Sequence, residues 1–225
     1  MYRLILAALI CSIVPLQAGV LWYQAPDTVA AAYVDQEFPD YAGYSTYQVH
    51  DVTVDPGGWT IQSITSYYTV GWGSWPSTAS VRVNIFPKSG SLPLSGDDPT
   101  VGTVYAATLS VSGSSTLVTV GGLSIPLAAG DWWIGLTPIL LFGSDGQEYH
   151  QVVADAVVGD YSAVRNPGGS FGFGTAWATY TALGRATGGD GAILIEGVGG
   201  AIPEPATWSL LALGVGALAF LRRRK

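Results

Sequence analysis

Apolar and polar residues alternate over short stretches in the middle of the chain. In "ASVRVNIF", Val81, Val83 and Ile85 fall on one side of an extended backbone, and Arg82 and Asn84 fall on the other. Successive side chains of a β-strand point to opposite faces. This spacing therefore predicts a strand that buries the three aliphatic side chains and turns Arg82 and Asn84 toward solvent.

A second clear alternation follows the turn sequence "AAG". In "DWWIGL", Trp132, Ile134 and Leu136 share one face, and we expect them to join the same core as the aliphatic residues above. Five further segments have the Val, Ile, Thr, Tyr and Trp content that is typical of strands. They are "WTIQSITSYYTV", "TVYAATLSV", "STLVTV", "EYHQVV" and "AILIE".

Turn sequences rich in Gly and Pro separate these segments, at residues 56–58, 166–169 and 188–191. Only "DTVAAAYVDQEF", residues 27–38, suggests a helix between the two ends of the chain, and a short one. Many short strands joined by tight turns predict an all-β fold, a two-sheet antiparallel sandwich.

The C-terminal 23 or so residues have a different pattern. Residues 206–221 carry no charge, and four cations follow, Arg222, Arg223, Arg224 and Lys225. A helix of this length rises about 24 Å, which is short for a bilayer core of about 30 Å. Clustered Lys and Arg stay on the cytoplasmic side, so we expect one transmembrane helix with the rest of the chain outside.

The order of features in this tail resembles the PEP-CTERM sorting signal. Pro203, Glu204 and Pro205 precede an apolar helix and a terminal Arg cluster, and no part of the pattern is missing. The resemblance implies that an exosortase, a membrane-embedded cysteine enzyme, recognises and cleaves near the motif. It also implies a Gram-negative host that secretes exopolysaccharide and often forms biofilms.

The N-terminal end is typical of a secretory signal peptide. Arg3 precedes an apolar run that Pro15 ends, and Ala18 offers a small residue for cleavage. The predicted organisation is therefore a signal peptide at residues 1–18, a β-sandwich domain at 19–200 and a sorting signal at 201–225. Export machinery, the exosortase and the membrane are the expected partners.

The charge of the chain changes once the two ends are set aside. Residues 19–205 hold all sixteen acidic residues but only four cations, a net charge of −12, and neither cysteine nor methionine. Such a body repels nucleic acid and anionic polysaccharide unless cations bridge them. The lack of cysteine excludes disulfides, thiol catalysis and thiolate zinc sites there. The four cations are Arg82, Lys88, Arg165 and Arg185.

The strand order between residues 48 and 197 has a second, weaker resemblance. "VRVNIF", "LSIPLAAGDWWIGL", a later Trp177 and the closing "GDGAILIEG" are similar to a jelly-roll-type β-sandwich module of bacterial surface proteins. The resemblance is one of strands and not of catalytic residues, so it implies a fold rather than an activity.

Catalytic chemistry has weak candidates. His50 and Asp51 would need a serine partner for a hydrolase triad, and there is no Gly-x-Ser-x-Gly sequence. His150 lies in another strand-like segment. A glycosidase would need two facing carboxyl groups, which sequence cannot show. We therefore expect no enzyme and no catalytic residues.

Carboxylates in two Gly- and Ser-rich loops are candidate calcium ligands. Asp97 and Asp98 form one pair, and Asp145 and Glu148 form the other. Calcium prefers several oxygen ligands. Neither pair has the spacing of a known calcium loop, so a solvated acidic loop is the competing interpretation and no cofactor is required.

Aromatic residues are the third candidate feature. "SYYTVGWGSWPS" places Tyr67, Tyr68, Trp72 and Trp75 in a stretch that ends in a loop, and we expect both tryptophans in that loop. Exposed rings there would stack on sugar rings. The competing interpretation is that they cover the core. Tyr41, Tyr44 and Tyr47 form a second aromatic cluster.

These observations predict an exported, exosortase-processed protein of the cell surface or extracellular matrix, transiently anchored in the membrane. Its expected role is structural or adhesive and linked to exopolysaccharide in biofilms. The alternative is a carbohydrate-binding module or a carbohydrate-active enzyme acting on exopolysaccharide.

Overall fold

The computed structural model describes residues 18–27, 32–153, 159–172, 174–184 and 189–199. In these ranges no helix is both long and apolar enough to cross a membrane. The predicted transmembrane helix, the sorting motif and nearly all of the predicted signal peptide lie outside the described residues, so those predictions stand as they were made.

Strands dominate, as the alternation predicts. The strands are β1 (Gly19–Gln24), β2 (Ala32–Val34), β3 (Tyr47–Val54), β4 (Trp59–Gly73), β5 (Ala79–Pro87), β6 (Thr103–Ser112), β7 (Ser115–Val120), β8 (Ile125–Leu127), β9 (Gly130–Ile139), β10 (Gly146–Gln151), β11 (Ala163–Arg165), β12 (Ala178–Thr179) and β13 (Ile193–Gly199). One α-helical turn, α1 (Phe142–Asp145), and two 3-10 turns, Ala42–Tyr44 and Pro99–Val101, complete the described elements.

All strand pairs are antiparallel, in the order β1-β13-β4-β7-β6-β5-β9-β3-β11-β12. Strand β6 divides this order in two, because its residues 103–107 pair with β5 and its residues 108–112 pair with β7. The all-β prediction is confirmed. The two layers of the sandwich-like fold belong to one sheet, which continues from one layer to the other through β6. The sequence had predicted two separate sheets.

The two layers enclose the main core. Val81, Val83, Ile134 and Leu136 are at most 4% exposed and lie in one buried cluster. Ile85 and Trp132 are partly buried and pack against it. The predicted register of β5 and β9 is therefore confirmed. The opposite layer contributes buried aliphatic residues from β4, β7 and β13, namely Ile61, Ile64, Val118, Val120, Ile193 and Ile195.

The outer face of β5 and β9 differs from the prediction. Asn84 was expected in solvent but is 1% exposed, because Gly102 passes so close that a Cβ there would lie 2.3 Å from the Asn84 Oδ1. Trp133, also on this face, is fully buried with Val49, Ala163 and Trp177. Strands β11 and β12 and nearby turns thus cover the outer face of β5 and β9. The alternation of apolar and polar residues had predicted that this face is exposed to solvent.

The short helix expected within residues 27–38 was wrong in its described part. Ala32–Val34 is strand β2, which pairs with β10. Helical propensity over so few residues is outweighed by the backbone hydrogen bonds that an adjacent strand offers.

Polar side chains are buried between β2, β3, β4 and β10. Asp35 is fully buried and accepts hydrogen bonds from the Gln48 N–H, the Thr137 hydroxyl and the Tyr68 hydroxyl. Burial raises its pKa to about 7 in spite of these donors. The His150 ring stacks on Tyr68 at a centroid distance of 5.0 Å, and burial lowers the pKa of His150 to about 4.

Glu148, next to His150 along β10, is also fully buried. Among the described residues, neither of its carboxylate oxygens has a hydrogen-bond partner. Burial raises its pKa to about 8, and the nearby Trp75 indole opposes part of this rise. A carboxyl group in this position is protonated at neutral pH.

Replacing Ile134 with Ala should destabilise the protein by about 2–5 kcal/mol, because the change removes buried methyl groups and leaves a cavity. Chemical denaturation measures this free energy of unfolding. The matched control is Val104→Ala on β6, where the side chain is 47% exposed and the expected change is within about 0.5 kcal/mol. Equal effects of the two variants would contradict the assigned core.

Glu148→Gln should make the protein more stable at pH 8 and change the pH dependence of stability. The folded state holds a proton on Glu148 up to about pH 8, whereas the unfolded state releases it near pH 4.5. Stability therefore falls as pH rises through this window, by up to about 1.4 kcal/mol per pH unit. Glutamine removes this contribution. Urea denaturation at pH 5 and pH 8 should show the variant gaining on the wild type at the higher pH, and parallel profiles would refute the buried-acid assignment.

Candidate functional site

The ends of β4 and β10 and the helical turn α1 form the base of a cleft. Trp72 pairs with Gln147, and Gly73 pairs with Gly146 directly after α1. Gly73 has a φ of 90°, and a Cβ there would lie 2.2 Å from the Asp145 carbonyl oxygen. Only glycine allows this close approach, which brings the Trp72 side chain against α1.

Phe142 of α1 is the centre of an aromatic group. Its ring lies edge-on to Trp72 at 4.8 Å, to Tyr41 at 5.4 Å and to Phe38 at 5.8 Å between centroids. Phe38 is buried, whereas Trp72 is 46% and Tyr41 is 52% exposed. The buried Phe38 ring thus supports a group of rings that is partly exposed to solvent.

The opposite wall comes from the loop after β11. Phe171 lies edge-on to Tyr44 at 5.3 Å, and the space between the walls is about 400 Å³. A second recess of about 380 Å³ adjoins it, and Gln147 and Phe171 line both. We call the whole the aromatic cleft; its residues are Tyr33, Phe38, Tyr41, Tyr44, Phe142, Gln147, Tyr149, Phe171 and Tyr180. Trp72 packs against Phe142 beside the cleft and lines neither recess.

Ring stacking and one amide shape the second recess. Tyr33 and Tyr180 stack with centroids 3.8 Å apart. The Tyr149 hydroxyl donates to the Gln147 Oε1 at 2.9 Å, which fixes this amide between the two recesses. The cleft therefore combines several apolar ring surfaces with a small number of positioned polar groups, as small-molecule and polymer sites do.

Asp40 holds α1 in place beside the cleft. Its two carboxylate oxygens accept the backbone N–H groups of Phe142 and Gly143, each at 2.9 Å. Slight desolvation raises the pKa of Asp40, but these amide donors outweigh it and the net shift is downward. This carboxylate stays ionised, and its hydrogen bonds stabilise the turn that carries Phe142.

Cations do not line the cleft in the described residues. Arg82 forms an ion pair with Glu37 at 2.7 Å, and Lys88 pairs with Asp51 and Asp160. Arg165 donates to the carbonyl oxygens of Asp97 and Thr175. Each of these charges is engaged elsewhere on the body.

The aromatic residues that the sequence singled out separate in space. Trp72 lies at the end of strand β4, packed against Phe142 beside the cleft, whereas the prediction placed it in a loop. Trp75 does lie in the loop, but it is half-buried and packs against the main core. Tyr68 is fully buried, so its prediction as a surface contact was wrong.

Tyr67 is half-buried on the opposite face of β4 from Tyr68. Burial and the neighbouring Tyr23 raise its pKa to about 12. Its side chain lies beside β1, away from the residues that line the cleft.

The candidate calcium ligands are used within their own loops. Asp98 accepts from the Thr100 N–H and hydroxyl, and Asp97 accepts from the Leu94 N–H. Asp145 accepts from the Leu141 N–H, while Glu148 is fully buried. Across the described ranges, no group of three or more His, Cys, Asp or Glu could hold a metal ion.

His50 does meet a serine, although Asp51 is not its partner. The His50 Nδ1 lies 2.7 Å from the Ser162 Oγ, and that oxygen lies 3.5 Å from Asp190. All three side chains are fully buried, and burial lowers the pKa of His50 well below its usual value. A Cβ on Gly191 would lie 2.0 Å from the ring, so backbone closes over the imidazole. This arrangement is an interior hydrogen-bond network.

The sequence did not single out Phe142 and Phe171, which complete the cleft. Phe142 lies in "LLFGSDG" and Phe171 in "GGSFGFG", segments whose Gly and Ser content is typical of loops and gives no sign that the two rings meet. Tyr41 and Tyr44, by contrast, were visible as a cluster.

Comparison with known proteins identifies the end of the chain. Residues 201–225 match the PEP-CTERM protein-sorting motif. No curated protein and no solved structure matches the chain. The chain therefore carries a PEP-CTERM sorting motif, which is the recognition signal for exosortase processing and implies export with C-terminal membrane anchoring before cleavage.

Proposed function

We propose that this exported protein is an adhesive component of the cell surface or extracellular matrix, and that its aromatic cleft binds polysaccharide that carries no anionic groups. The observation that carries the proposal is the cleft itself, in which the exposed rings of Tyr41, Tyr44 and Phe171 line one recess and this recess adjoins a second. Sugar rings present flat C–H faces that pack on aromatic rings, while their hydroxyl groups keep contact with water and with side-chain amides.

The shape of the cleft supports a polymer in preference to a single sugar. Gln147 and Phe171 belong to both recesses, so a chain that occupies one recess can continue into the other. Tyr44 and Phe171 would contact one part of it, and Tyr33 and Tyr180 another. Rigid aromatic residues provide contact area at a low cost in conformational entropy.

Charge selects among polysaccharides. Residues 19–205 carry a net charge of −12, and the three described cations are held by other groups. Among the described residues, an anionic polymer would meet this repulsion without a compensating ion pair. The proposed ligand is therefore a neutral polysaccharide, or one that carries amines.

The proposed role is binding without cleavage. Hydrolysis of a glycosidic bond needs an acid and a second carboxylate across the bond. Both oxygens of Asp40 accept backbone N–H groups, and Asp145 accepts the Leu141 N–H. These carboxylates support the walls of the cleft, which favours an adhesive protein over the alternative of a carbohydrate-active enzyme.

Trp72→Ala should weaken binding to a neutral glucan about tenfold, equivalent to ~1.4 kcal/mol, because the change removes an exposed ring beside the cleft that packs against Phe142 in its wall. Affinity electrophoresis in gels that contain a neutral glucan, a glucosamine polymer or an anionic alginate measures the retardation. Tyr23→Ala is the matched control, since Tyr23 is 53% exposed on β1. Equal retardation of the wild type and both variants, or retardation by alginate alone, would rule out the proposed ligand class.

Replacing Pro203, Glu204 and Pro205 with alanines should leave membrane insertion intact and trap the uncleaved precursor. The prolines keep this segment extended, free of helical hydrogen bonds and accessible to a processing enzyme. The apolar run that inserts is unchanged. Intact-mass analysis of membrane and secreted fractions from the host measures the outcome. Release of the variant at the normal rate would show that the tripeptide acts only as a linker.

A further inference from the structure

The chain leaves the folded body at one end of its longest strand. Gly199, the last residue of β13, pairs with Trp59, the first residue of β4. Gly197 pairs with Gly19 at the start of β1. We call this end of the body, marked by Gly19, Trp59 and Gly199, the tether end.

The aromatic cleft lies at the other end of β4. Trp72 is thirteen residues beyond Trp59 along the same strand, and a strand rises about 3.3 Å per residue, which gives a separation of about 43 Å. The turn α1 and the start of β10 lie at this far end too, because Gly73 pairs with Gly146.

The chain between the body and the membrane segment is short. Six residues, 200–205, separate Gly199 from Ala206, where the apolar run begins, which makes seven residue-to-residue steps. An extended chain spans at most about 3.6 Å per residue, so this linker reaches no more than about 25 Å. The reach is shorter than β4, so the start of the apolar run cannot lie in the cleft while the body is folded.

Electrostatics opposes contact between the side of the body and the bilayer. The body is strongly acidic, and bilayers that contain anionic lipids have a negative surface potential. Repulsion between them disfavours an orientation in which the long axis of the body lies along the membrane.

We infer that the anchored precursor holds its tether end near the membrane and presents the aromatic cleft on the membrane-distal end, where it captures extracellular polysaccharide before exosortase cleavage releases the body. The orientation follows from strand pairing and linker length. The capture step rests on the proposed function of the cleft.

Energy transfer to a labelled bilayer tests the orientation. The precursor with alanines at 203–205 and Cys11→Ser is placed in phosphatidylethanolamine–phosphatidylglycerol vesicles with a headgroup acceptor dye. Ser74→Cys labels the cleft end and Ser124→Cys the tether end, and both serines are exposed. Ser124 lies beside Ile125, which pairs with Ile61. Transfer should be several-fold stronger from position 124, and equal transfer from the two positions would overturn the inference.

Sedimentation of the same vesicles with a labelled neutral glucan tests capture by the anchored precursor. The glucan should sediment with the vesicles, and it should not do so when the precursor also carries Trp72→Ala. A glucan that binds the released body but not the anchored precursor would overturn this inference and leave the proposed function standing. A glucan that binds neither form would refute the proposed function and the capture step, while the energy-transfer result would still decide the orientation.

Discussion

Burial of one sheet against itself is the interaction on which the rest of the structure depends. Residues 19–205 contain no cysteine, so no disulfide holds them together. The apolar faces of β4, β7 and β13 pack on those of β3, β5 and β9, and burial of apolar surface is worth about 25 cal/mol per Å². The continuation of the sheet through β6 makes this packing possible. Strand β4 is held by its pairing with β13, β7, β8 and β10, and its exposed end carries Trp72.

The interior is less uniform than an aliphatic sandwich. Asp35, Tyr68 and His150 lie together under β2 and β10, and His50 meets Ser162 nearby. Burying such groups costs free energy unless hydrogen bonds replace those with water. Asp35 accepts three hydrogen bonds, which meets this condition, whereas Glu148 avoids the cost of a buried charge by holding its proton. The polar layer lies between the main core and the base of the cleft, and its directional bonds fix the strands that carry the aromatic rings.

The sequence predicts those features of the structure that depend on the local alternation of apolar and polar residues. Strict alternation in β5 and β9 gave the correct inward face for Val81, Val83, Ile134 and Leu136, because side-chain direction in a strand depends only on sequence parity. The sequence could not show that Gly102 covers Asn84, or that Val49, Ala163 and Trp177 cover Trp133, since these residues are distant in sequence from the strands they cover. For the same reason, the cleft was predicted only through the Tyr41 and Tyr44 cluster and the adjacent Trp72. Phe142 and Phe171 become its walls through long-range pairing, and Tyr68 is buried by strands that no local pattern connects to it.

The pairing of β13 with both β1 and β4 determines when the sheet can be completed, as well as how its strands are arranged. β13 is the last described strand, and it completes the sheet between two strands from the first third of the chain. During synthesis from the N-terminus, β1 and β4 emerge long before β13 is available. Contacts between residues so far apart in sequence form slowly, because the intervening chain must first be ordered. The body can therefore close only when residues up to 199 are available, and the sorting motif at residues 201–225 follows them almost directly.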